Sequence, residues 1–439
     1  MVSRREFVQY SAVAAAGALY RPGPSADAAP APDPQQAGGA MPPSIAALTS
    51  MRDRAKPITV EERRARIDRA RELMRANTLD AILLTGGTSL EYFTGMRWGL
   101  SERMLAVVVP LAGRAFVVCP AFEEDRAREQ IQKGPLADGT DVRTWQEDDS
   151  PYALVADGLK ALGSASGRLG IEETVRYLFS HGIGHAAPAV EMDSATPVTA
   201  GCRGVKSPHE IELMRLASQV TLKAYHAAHR ALKEGMTQDQ FANLVSMAHR
   251  QLGFSGGAGV QVGEYSALPH GSITPQVIKD GAILLIDGGC EVEGYNSDLS
   301  RTFVLGKATD KMKAVFAIEQ RAQQAALAAA RPGVECQAVD AAARKVITDA
   351  GYGPDYKYFT HRVGHGIGMD GHEWPYLVRG NTLKLQPGMT FSDEPGIYIR
   401  GEFGVRLEDD MLITENGAEL LTPTSPSLED PFANLVGTK

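Results

Sequence analysis

The sequence predicts a mixed α/β (α+β) protein, in which a larger domain with a pseudo-twofold repeat follows a smaller α/β domain. Three observations lead to this fold class. Short apolar strands alternate with helical patterns between about residues 50 and 197. Residues 231–254 align without gaps on residues 329–352, which indicates two similar half-domains. In each half an apolar strand ends in an acid six positions after a glycine, Asp287 in the first and Glu394 in the second.

Composition sets the broad class. The chain has 439 residues, enough for two or three domains, with 44% hydrophobic and 22% charged residues and a net charge of -8. This acidity argues against nucleic acid or an anionic membrane surface as a partner. The four cysteines have no metal-site spacing and cannot be paired from the sequence. We interpret them as small buried hydrophobic residues.

Residues 1–28 predict a twin-arginine signal peptide. Arg4 and Arg5 precede an alanine-rich apolar stretch that is too short to span a bilayer, and residues 26–28 (ADA) offer a cleavage site. Such a signal directs folded bacterial proteins to the twin-arginine export machinery, so we expect a periplasmic or secreted protein without a stable membrane span. A chance arginine pair before a disordered arm is the alternative. Residues 29–49 predict a disordered linker.

Residues 50–200 predict the smaller α/β domain. Thr59 and Glu62 predict a capping box that opens a charged helix. The pair His181 and His185 has the spacing of a metal site on a helix, but two glycines between them make a helix doubtful, so we favour a structural role. The following segment TPVTAGCRGVK is interpreted as a linker or an edge strand.

Residues 205–430 predict the larger domain. Ser207, Pro208 and Glu210 have the pattern of an N-cap, a first helical residue and the closing residue of a capping box. Thr237 predicts the cap of the next helix.

Histidines and carboxylates in this domain lie within segments that otherwise have the pattern of buried strands, where an ionised side chain requires a partner or a metal. Asp287 and Asp298 lie on a predicted antiparallel strand pair, so we expect them side by side on one face. Two aspartates that close repel each other unless a cation lies between them. His365, Glu394 and Glu408 complete a set of four carboxylates and one imidazole.

This donor set favours two divalent metal ions, most readily Mn²⁺, with Co²⁺ or Zn²⁺ as alternatives. A water-bridged metal pair supplies a nucleophile at neutral pH and polarises a carbonyl. A structural salt-bridge network around Arg301 and Arg406 is the alternative interpretation.

The chain from about Ser207 onward resembles the pita-bread metallopeptidases: aminopeptidase P, prolidase, methionine aminopeptidase and the related creatinase. The resemblance is carried by the segments GAILLIDGG, SDLSRTF, HRVGHGIGMDGHEWP, GMTFSDEPGIY and GVRLEDD. In the smaller domain, SLEYFTG is similar to a recurrent segment of the creatinase-type domain that precedes the catalytic domain in aminopeptidase P and prolidase. Creatinase lacks the metal ligands, so their presence here implies a metalloenzyme.

The resemblance implies a role for each metal ligand. Asp287 would chelate one metal, and Asp298 and Glu408 would bridge both. His365 and Glu394 would bind the second metal. Glu394 would also accept a proton from the attacking water.

The resemblance also implies roles for five residues of the substrate cleft. His270 and His372 would hold the substrate carbonyl or stabilise the tetrahedral intermediate. His361 matches a further cleft histidine of the proline-specific members. Arg406 would support a bridging carboxylate, and Tyr398 would lie near the metals.

The implied activity is hydrolysis of the peptide bond before proline by attack of a metal-bridging hydroxide, in an Xaa-Pro dipeptidase or an Xaa-Pro aminopeptidase. The spacing of fourteen residues from Glu394 to Glu408 slightly favours the compact prolidases. One alternative keeps the fold and metals but acts as a non-peptidase hydrolase or lyase on a small molecule. Another is a non-catalytic binding protein.

Relatives of this two-domain build also imply a homodimer. The candidates for reaching the partner's cleft lie in the loop after SLEYFTG and are Arg97, Trp98, Glu102 and Arg103, and a tryptophan packed at the domain edge is the alternative.

Overall fold

The structure, a computed structural model, describes residues 41–137 and 139–435. The described residues from Pro43 onward form one compact unit. The predicted signal peptide and most of the predicted linker lie outside the described residues.

The linker prediction is wrong for its last residues. Pro43–Ala46 form a short helix, α1, and the Ile45 side chain is fully buried in a hydrophobic cluster of the larger domain. Burial of an apolar side chain offsets the entropy of ordering this segment. Among the described residues, no helix is long and apolar enough to cross a membrane.

The smaller domain is built on a six-stranded sheet with the order β4-β3-β2-β1-β5-β6. Its elements are α2 (Val60–Ala76), β1 (Ala81–Thr85), α3 (Thr88–Thr94), β2 (Ala106–Pro110), β3 (Phe116–Pro120), α4 (Glu124–Ile131), β4 (Asp141–Trp145), α5 (Pro151–Ala161), β5 (Arg168–Ile171), α6 (Tyr177–Ala186), β6 (Glu191–Ser194) and α7 (Thr196–Arg203). Strand β1 is buried on both faces, because Leu83 joins one hydrophobic cluster and Ile82 and Leu84 join another. The capping box of Thr59 and Glu62 is confirmed.

Two local predictions in this domain are wrong. The segment interpreted as a linker or edge strand forms α7, because Val198, Thr199 and Cys202 give it one buried face that packs beside α2. His181 and His185 do share a helix, α6, with their ring centroids 4.3 Å apart.

The larger domain contains three-stranded (β11-β8-β7) and five-stranded (β13-β12-β14-β17-β18) sheets and two-stranded pairs (β10-β9, β15-β16). Its elements are α8 (Pro208–His229), α9 (Gln238–Gln251), β7 (Gly259–Val262), β8 (Ile283–Gly288), β9 (Glu291–Val292), β10 (Tyr295–Asn296), β11 (Leu299–Val304), α10 (Asp310–Ala329), α11 (Cys336–Asp349), β12 (Gly364–Gly366), β13 (Glu373–Leu377), β14 (Thr390–Asp393), β15 (Gly396–Ile399), β16 (Phe403–Arg406), β17 (Asp409–Ile413) and β18 (Ala418–Leu420). The capping boxes that begin α8 and α9 are confirmed.

The predicted repeat is present in the backbone. Helices α9 and α11 each have 14 residues and begin 98 positions apart, at Gln238 and Cys336. The glycines before them, Gly235 and Gly333, have φ of 86° and 83°. Such positive φ angles are accessible to glycine at little cost, so the repeated glycines mark repeated turns.

The site strands repeat as well. Strand β8 pairs with β11 and β14 pairs with β17, both antiparallel. Asp298 immediately precedes β11 and Glu408 immediately precedes β17. The two halves meet here, where the Glu408 amide donates a hydrogen bond of 3.2 Å to the Ser300 carbonyl.

Candidate metal centre and active site

The five predicted metal ligands come together in the structure. Three groups each bring their ligand atoms within 4.8 Å of one another: Asp287, Asp298 and Glu408; His365, Glu394 and Glu408; and Asp298, His365 and His372. The first two groups share Glu408, and every predicted ligand belongs to at least one group. Oxygen atoms with a single imidazole suit Mn²⁺ and similar borderline ions, so this donor set fits divalent metals.

The two aspartates converge, but not as a directly opposed pair. Ser300, not Asp298, faces Asp287 across the antiparallel pair β8–β11. The small hairpin of β9 and β10 lies between them and leaves Asp298 one residue before β11. Burial and the neighbouring Asp287 charge raise the pKa of Asp298 well above its usual range, which is the repulsion that a bound cation relieves.

His365 is prepared for a metal by its backbone surroundings. It is 2% exposed on β12, and its Nδ1 lies 3.1 Å from the Gly366 carbonyl, which can only accept a hydrogen bond. The proton therefore resides on Nδ1 in the neutral ring, and Nε2 faces Glu394 Oε1 at 3.3 Å and Asp298 Oδ2 at 3.9 Å. A carbonyl that fixes the tautomer in this way is typical of metal-binding histidines.

Glu394 Oε1 and His365 Nε2 lie 3.3 Å apart, and each group shifts the pKa of the other. Burial raises the pKa of Glu394, but the hydrogen bond of His365 and the charge of His361 outweigh it and bring this pKa to about 2. Burial lowers the pKa of His365, and Glu394 more than compensates, so that it is raised overall. A metal ion at His365 Nε2 takes the place of a proton there, so metal binding at this nitrogen depends on pH.

Arg406 anchors the opposite side of the centre. Its Nη2 lies 2.6 Å from Asp287 Oδ2, and its Nη1 donates to the Tyr398 hydroxyl at 3.0 Å. The Tyr398 hydroxyl then donates to His361 Nε2 at 2.8 Å, and His361 Nδ1 donates to the Arg362 carbonyl at 2.8 Å. These contacts join three predicted cleft residues into one chain of hydrogen bonds that ends at a ligand candidate.

The two predicted carbonyl-binding histidines have different positions. The His372 ring stacks on the His365 ring with centroids 3.6 Å apart, so it lies beside the donor set. His270 is exposed and lies in none of the three groups of ligand atoms among the described residues. Its neighbour Pro269 accepts a hydrogen bond of 3.2 Å from Arg406, which places the His270 segment at the edge of the site.

Three functional candidates were not predicted from the sequence. The Ser300 hydroxyl lies 2.6 Å from Glu408 Oε2 and 2.9 Å from Asp287 Oδ1, and it accepts from Arg406 Nε at 2.9 Å. Asp410 accepts from the Asp298 amide at 3.3 Å, and burial raises its pKa to about 7. The Arg362 guanidinium stacks on the Tyr376 ring. The sequence could have identified these three residues by their positions close to predicted site residues, in the segments SDLSRTF, LEDD and HRVGH.

For three other features of the chain, the structure agrees with the structural interpretation given above and not with a functional one. All four cysteines are free and buried. Trp98 is 8% exposed under the Arg126 guanidinium, 4.4 Å from the ring centroid, so the packed alternative describes it. Within the described chain, His181 and His185 join no group of three ligand atoms.

Two protein-family models match this chain. The family model described as metallopeptidase family M24 matches residues 212–415, and the creatinase/prolidase N-terminal domain matches residues 66–205. The Xaa-Pro dipeptidase of Lactobacillus delbrueckii subsp. lactis is 32% identical over 372 residues, which is 83% of this chain and 98% of that protein.

Two mycobacterial proteins are also similar. The probable dipeptidase PepE of Mycobacterium tuberculosis is 37% identical over 353 residues, which is 79% of this chain and 92% of that protein. The crystal structure of dipeptidase PepE from Mycobacterium ulcerans has a TM-score of 0.79 at 33% identity, and the match covers 85% of this chain and 99% of that one.

Proposed function

Since the chain belongs to metallopeptidase family M24 and is a metallopeptidase of the creatinase and prolidase type, we propose that it hydrolyses Xaa-Pro dipeptides with two divalent metal ions. A relative of comparable length is an Xaa-Pro dipeptidase, which supports the bond and the substrate length. The single observation that carries the preference for a dipeptide is the position of Arg362 beside the candidate metal centre.

Two metal positions are supported by the overlap of the ligand groups. Asp287 would hold one ion, His365 and Glu394 the other, and Asp298 and Glu408 both. Glu408 belongs to two groups that are otherwise different, as a shared ligand must. We propose Mn²⁺ for both positions, with Co²⁺ or Zn²⁺ as alternatives. Bound metals lower the pKa of a shared water and polarise the substrate carbonyl.

Side chains of the protein would then transfer protons and orient the substrate. Glu394, which is ionised at neutral pH, can take a proton from the water and deliver it to the proline nitrogen. Burial lowers the pKa of His372, so at neutral pH its ring is uncharged and can donate one hydrogen bond to the substrate oxygen. Tyr398, held by Arg406 and His361, fixes the opposite wall of the cleft.

Arg362 supports a substrate with a free carboxylate close to the scissile bond. Its guanidinium carbon lies 4.1 Å from the Tyr376 ring centroid, and its charge contributes to the lowered pKa of His372. It is half-buried, and in residues 41–137 and 139–435 no carboxylate pairs with it. Arginine binds a carboxylate with two parallel hydrogen bonds. The proline carboxylate of a dipeptide supplies that anion, whereas a longer peptide has an amide there.

The deciding experiment compares Ala-Pro with Ala-Pro-Ala after reconstitution with Mn²⁺ and follows the release of free alanine. Faster cleavage of Ala-Pro supports the dipeptidase. Cleavage of Ala-Pro-Ala alone would mean an Xaa-Pro aminopeptidase. If neither is cut while two metals stay bound, the small-molecule hydrolase or lyase takes its place.

A variant tests the proposed carboxylate contact. Arg362→Gln should lower kcat/KM for Ala-Pro by about 10- to 100-fold, the scale of one charge-assisted hydrogen-bonded pair. The matched control is Arg379→Gln, since Arg379 is 56% exposed and pairs with Asp355 away from the ligands. An equal loss in both variants would remove Arg362 from the proposal.

We also propose export by the twin-arginine pathway and a homodimer. Residues 3–8 carry the arginine pair that supports export. Replacing Arg4 and Arg5 by lysine should retain the protein in the cytoplasm, and unchanged fractionation would reject the signal. Light scattering of the purified chain tests the dimer, since a mass of one chain would exclude it.

A further inference from the structure

The histidine proposed to bind the substrate oxygen lies on a loop. Residues 367–372, which we call the His372 loop, connect β12 to β13. The His372 ring stacks on the His365 ring, but in residues 41–137 and 139–435 no hydrogen bond holds its ring nitrogens. Gly371, directly before it, has open space where a Cβ would lie. The position of the His372 ring therefore depends on what holds the chain on either side of it.

One arginine of the smaller domain contacts an acid on each side of His372. Arg203, the last residue of α7, donates from Nη2 to Asp370 Oδ2 at 2.5 Å and to Glu373 Oε2 at 2.5 Å. Asp370 lies two residues before His372, and Glu373 directly follows it. Charge-assisted hydrogen bonds of this kind are stronger than neutral ones. A single guanidinium group thus fixes both flanks of the histidine.

The Arg203 side chain is itself held in place by the smaller domain. It is 11% exposed, and its Nη1 donates to Ser89 Oγ at 3.3 Å. Ser89 on α3 in turn donates to Glu172 at 3.0 Å. Thr88, on the same helix, donates to the second oxygen of Asp370 at 2.5 Å. The His372 loop is therefore attached to the interior of the smaller domain rather than to a mobile side chain.

A second cation balances the acids at these flanks. Lys206 Nζ donates to Glu373 Oε1 at 2.5 Å, so two cations face two acids. The Glu373 side chain is 6% exposed and that of Asp370 is 41% exposed. Without Arg203, the buried Glu373 would keep Lys206, whereas Asp370 would lose the one cation that pairs with it in the described part of the chain. Loss of Arg203 should therefore free the His372 loop while the start of β13 stays in place.

The other part of the loop is held by the larger domain. The Asn296 amide donates to the Gly368 carbonyl at 2.8 Å, and its side chain donates to the Met369 carbonyl at 2.9 Å. These contacts fix the first residues of the loop on β10. Arg203 holds the remaining part, which carries His372.

We propose that Arg203 is a positioning residue, which holds His372 beside the candidate metal ligands so that its ring can reach the substrate oxygen. This inference rests on the role proposed above for His372. It gives the smaller domain a part in catalysis within the same chain. A misplacement of a catalytic group by about 1 Å can lower a rate by about 100-fold, so a small movement of the loop is enough.

Steady-state kinetics on Ala-Pro with the Mn²⁺-loaded enzyme test the proposal. Arg203→Gln should lower kcat by about 10- to 100-fold and change KM by less than about 2-fold, because the hydrogen bond from His372 matters most in the transition state. The control is Arg128→Gln, since Arg128 also lies in the smaller domain, is 47% exposed and pairs with Glu124. It should keep the wild-type kcat.

A wild-type kcat in Arg203→Gln would overturn the proposal. If this variant does not fold, Asp370→Asn takes its place in the same comparison, because an exposed asparagine leaves no buried charge unpaired.

A double-mutant cycle with His372→Ala distinguishes positioning from a general structural effect. If Arg203 acts through His372, Arg203→Gln should lower kcat by less than about 2-fold in the His372→Ala background. The metal content per chain should equal that of the wild type in each variant. An equal loss of kcat in both backgrounds, or a loss of metal in Arg203→Gln, would overturn the proposal.

Crystal structures of the wild type and of Arg203→Gln give a readout that does not depend on the substrate. The His372 ring should leave the His365 stack, where the centroids lie 3.6 Å apart, while residues 361–366 keep their positions. An unchanged stack would overturn the proposal. If the wild type does not cleave Ala-Pro but the ring is displaced in the variant, the proposed function fails and the positioning of His372 by Arg203 stands.

Discussion

The two halves of the larger domain share a backbone plan but have different side chains at the centre. In each half one acid lies within a residue of the end of a strand and another precedes the partner strand: Asp287 and Asp298 in the first, Glu394 and Glu408 in the second. Only the second half adds an imidazole ligand, His365. The repeat therefore determines where carboxylates can meet, and divergence of side chains places the imidazole at one end of the donor set only.

The supporting helices differ in the same way. His249 on α9 is buried, and the position 98 residues later on α11 is Ile347. Thr237 caps α9 through its side chain, whereas Glu335 makes no such contact before α11. The two halves thus share a backbone conformation, while their different side chains give each half its own stability and its own dependence on pH.

The largest effect is expected at the two acids that hold equivalent positions. Asp298→Ala and Glu408→Ala should each lower turnover by on the order of 1,000-fold or more and remove bound metal, because either change leaves a candidate bridging position empty. Turnover and metal content per chain are the measurements. Glu419→Gln, an exposed acid paired with Arg215, should leave both unchanged. If only one of the two alanine variants loses metal, the halves are not equivalent at this position.

The next effect is the contribution of His249, in the first half, to the pH dependence of stability. Burial lowers the pKa of His249 to about 4, while the unfolded value is about 6.5. Above pH 6.5 both states are neutral and the group contributes no pH dependence. As the pH falls from 6.5 to 4, only the unfolded chain binds the proton, so the free energy of unfolding decreases by roughly 3 kcal/mol.

His249→Ile, which introduces the residue of the second half, should remove this pH dependence. The measurement is urea denaturation of the metal-free protein between pH 4 and 7. If the free energy of unfolding depends on pH equally in the wild type and the variant, the pKa of His249 is the same in the folded and the unfolded chain.

A smaller effect distinguishes the glycines that end the two helices. Gly253 and Gly351 have φ of 95° and 89°, so alanine at either position costs about 1–2 kcal/mol. A Cβ at Gly253 would also meet Ser50 Oγ at 2.7 Å, whereas one at Gly351 meets nothing within 4 Å. Gly253→Ala should therefore be the more destabilising variant in urea denaturation.

Gly417→Ala is the control for these variants, since it has open space and no positive φ. It should change the free energy of unfolding by less than about 0.5 kcal/mol. A larger loss at Gly351 than at Gly253 would contradict the assigned clash.

The smallest effect concerns the helix caps. The Thr237 side chain accepts a hydrogen bond of 3.2 Å from the Gln240 amide, so Thr237→Ala should cost about 1 kcal/mol. Glu335→Ala removes no cap and should be close to neutral. The midpoints of thermal unfolding of the two variants are compared with that of the wild type. Equal decreases in both variants would mean that the Thr237 cap does not stabilise α9.

The sequence by itself determined the features that depend on local chemistry. Capping residues such as Ser207 and Glu210 interact within one turn, so the start of α8 could be predicted to the residue. The acids and glycines of the repeat identified the ligand set, because the same local pattern occurs twice in the chain. His365 was predicted with them, as the one imidazole beside four carboxylates.

Only the tertiary structure decided features that depend on distant contacts. Gly182 argued against a helix, yet α6 forms there. A Cβ at this position would lie 2.5 Å from the Tyr152 ring, so only glycine allows the helix to pack this closely. The helix needs the glycine for close packing, which overrides its low propensity. Ser300 and Arg362 likewise gain their roles from partners far along the chain. Burial and long-range pairing set the energies of these groups, and no local pattern records them.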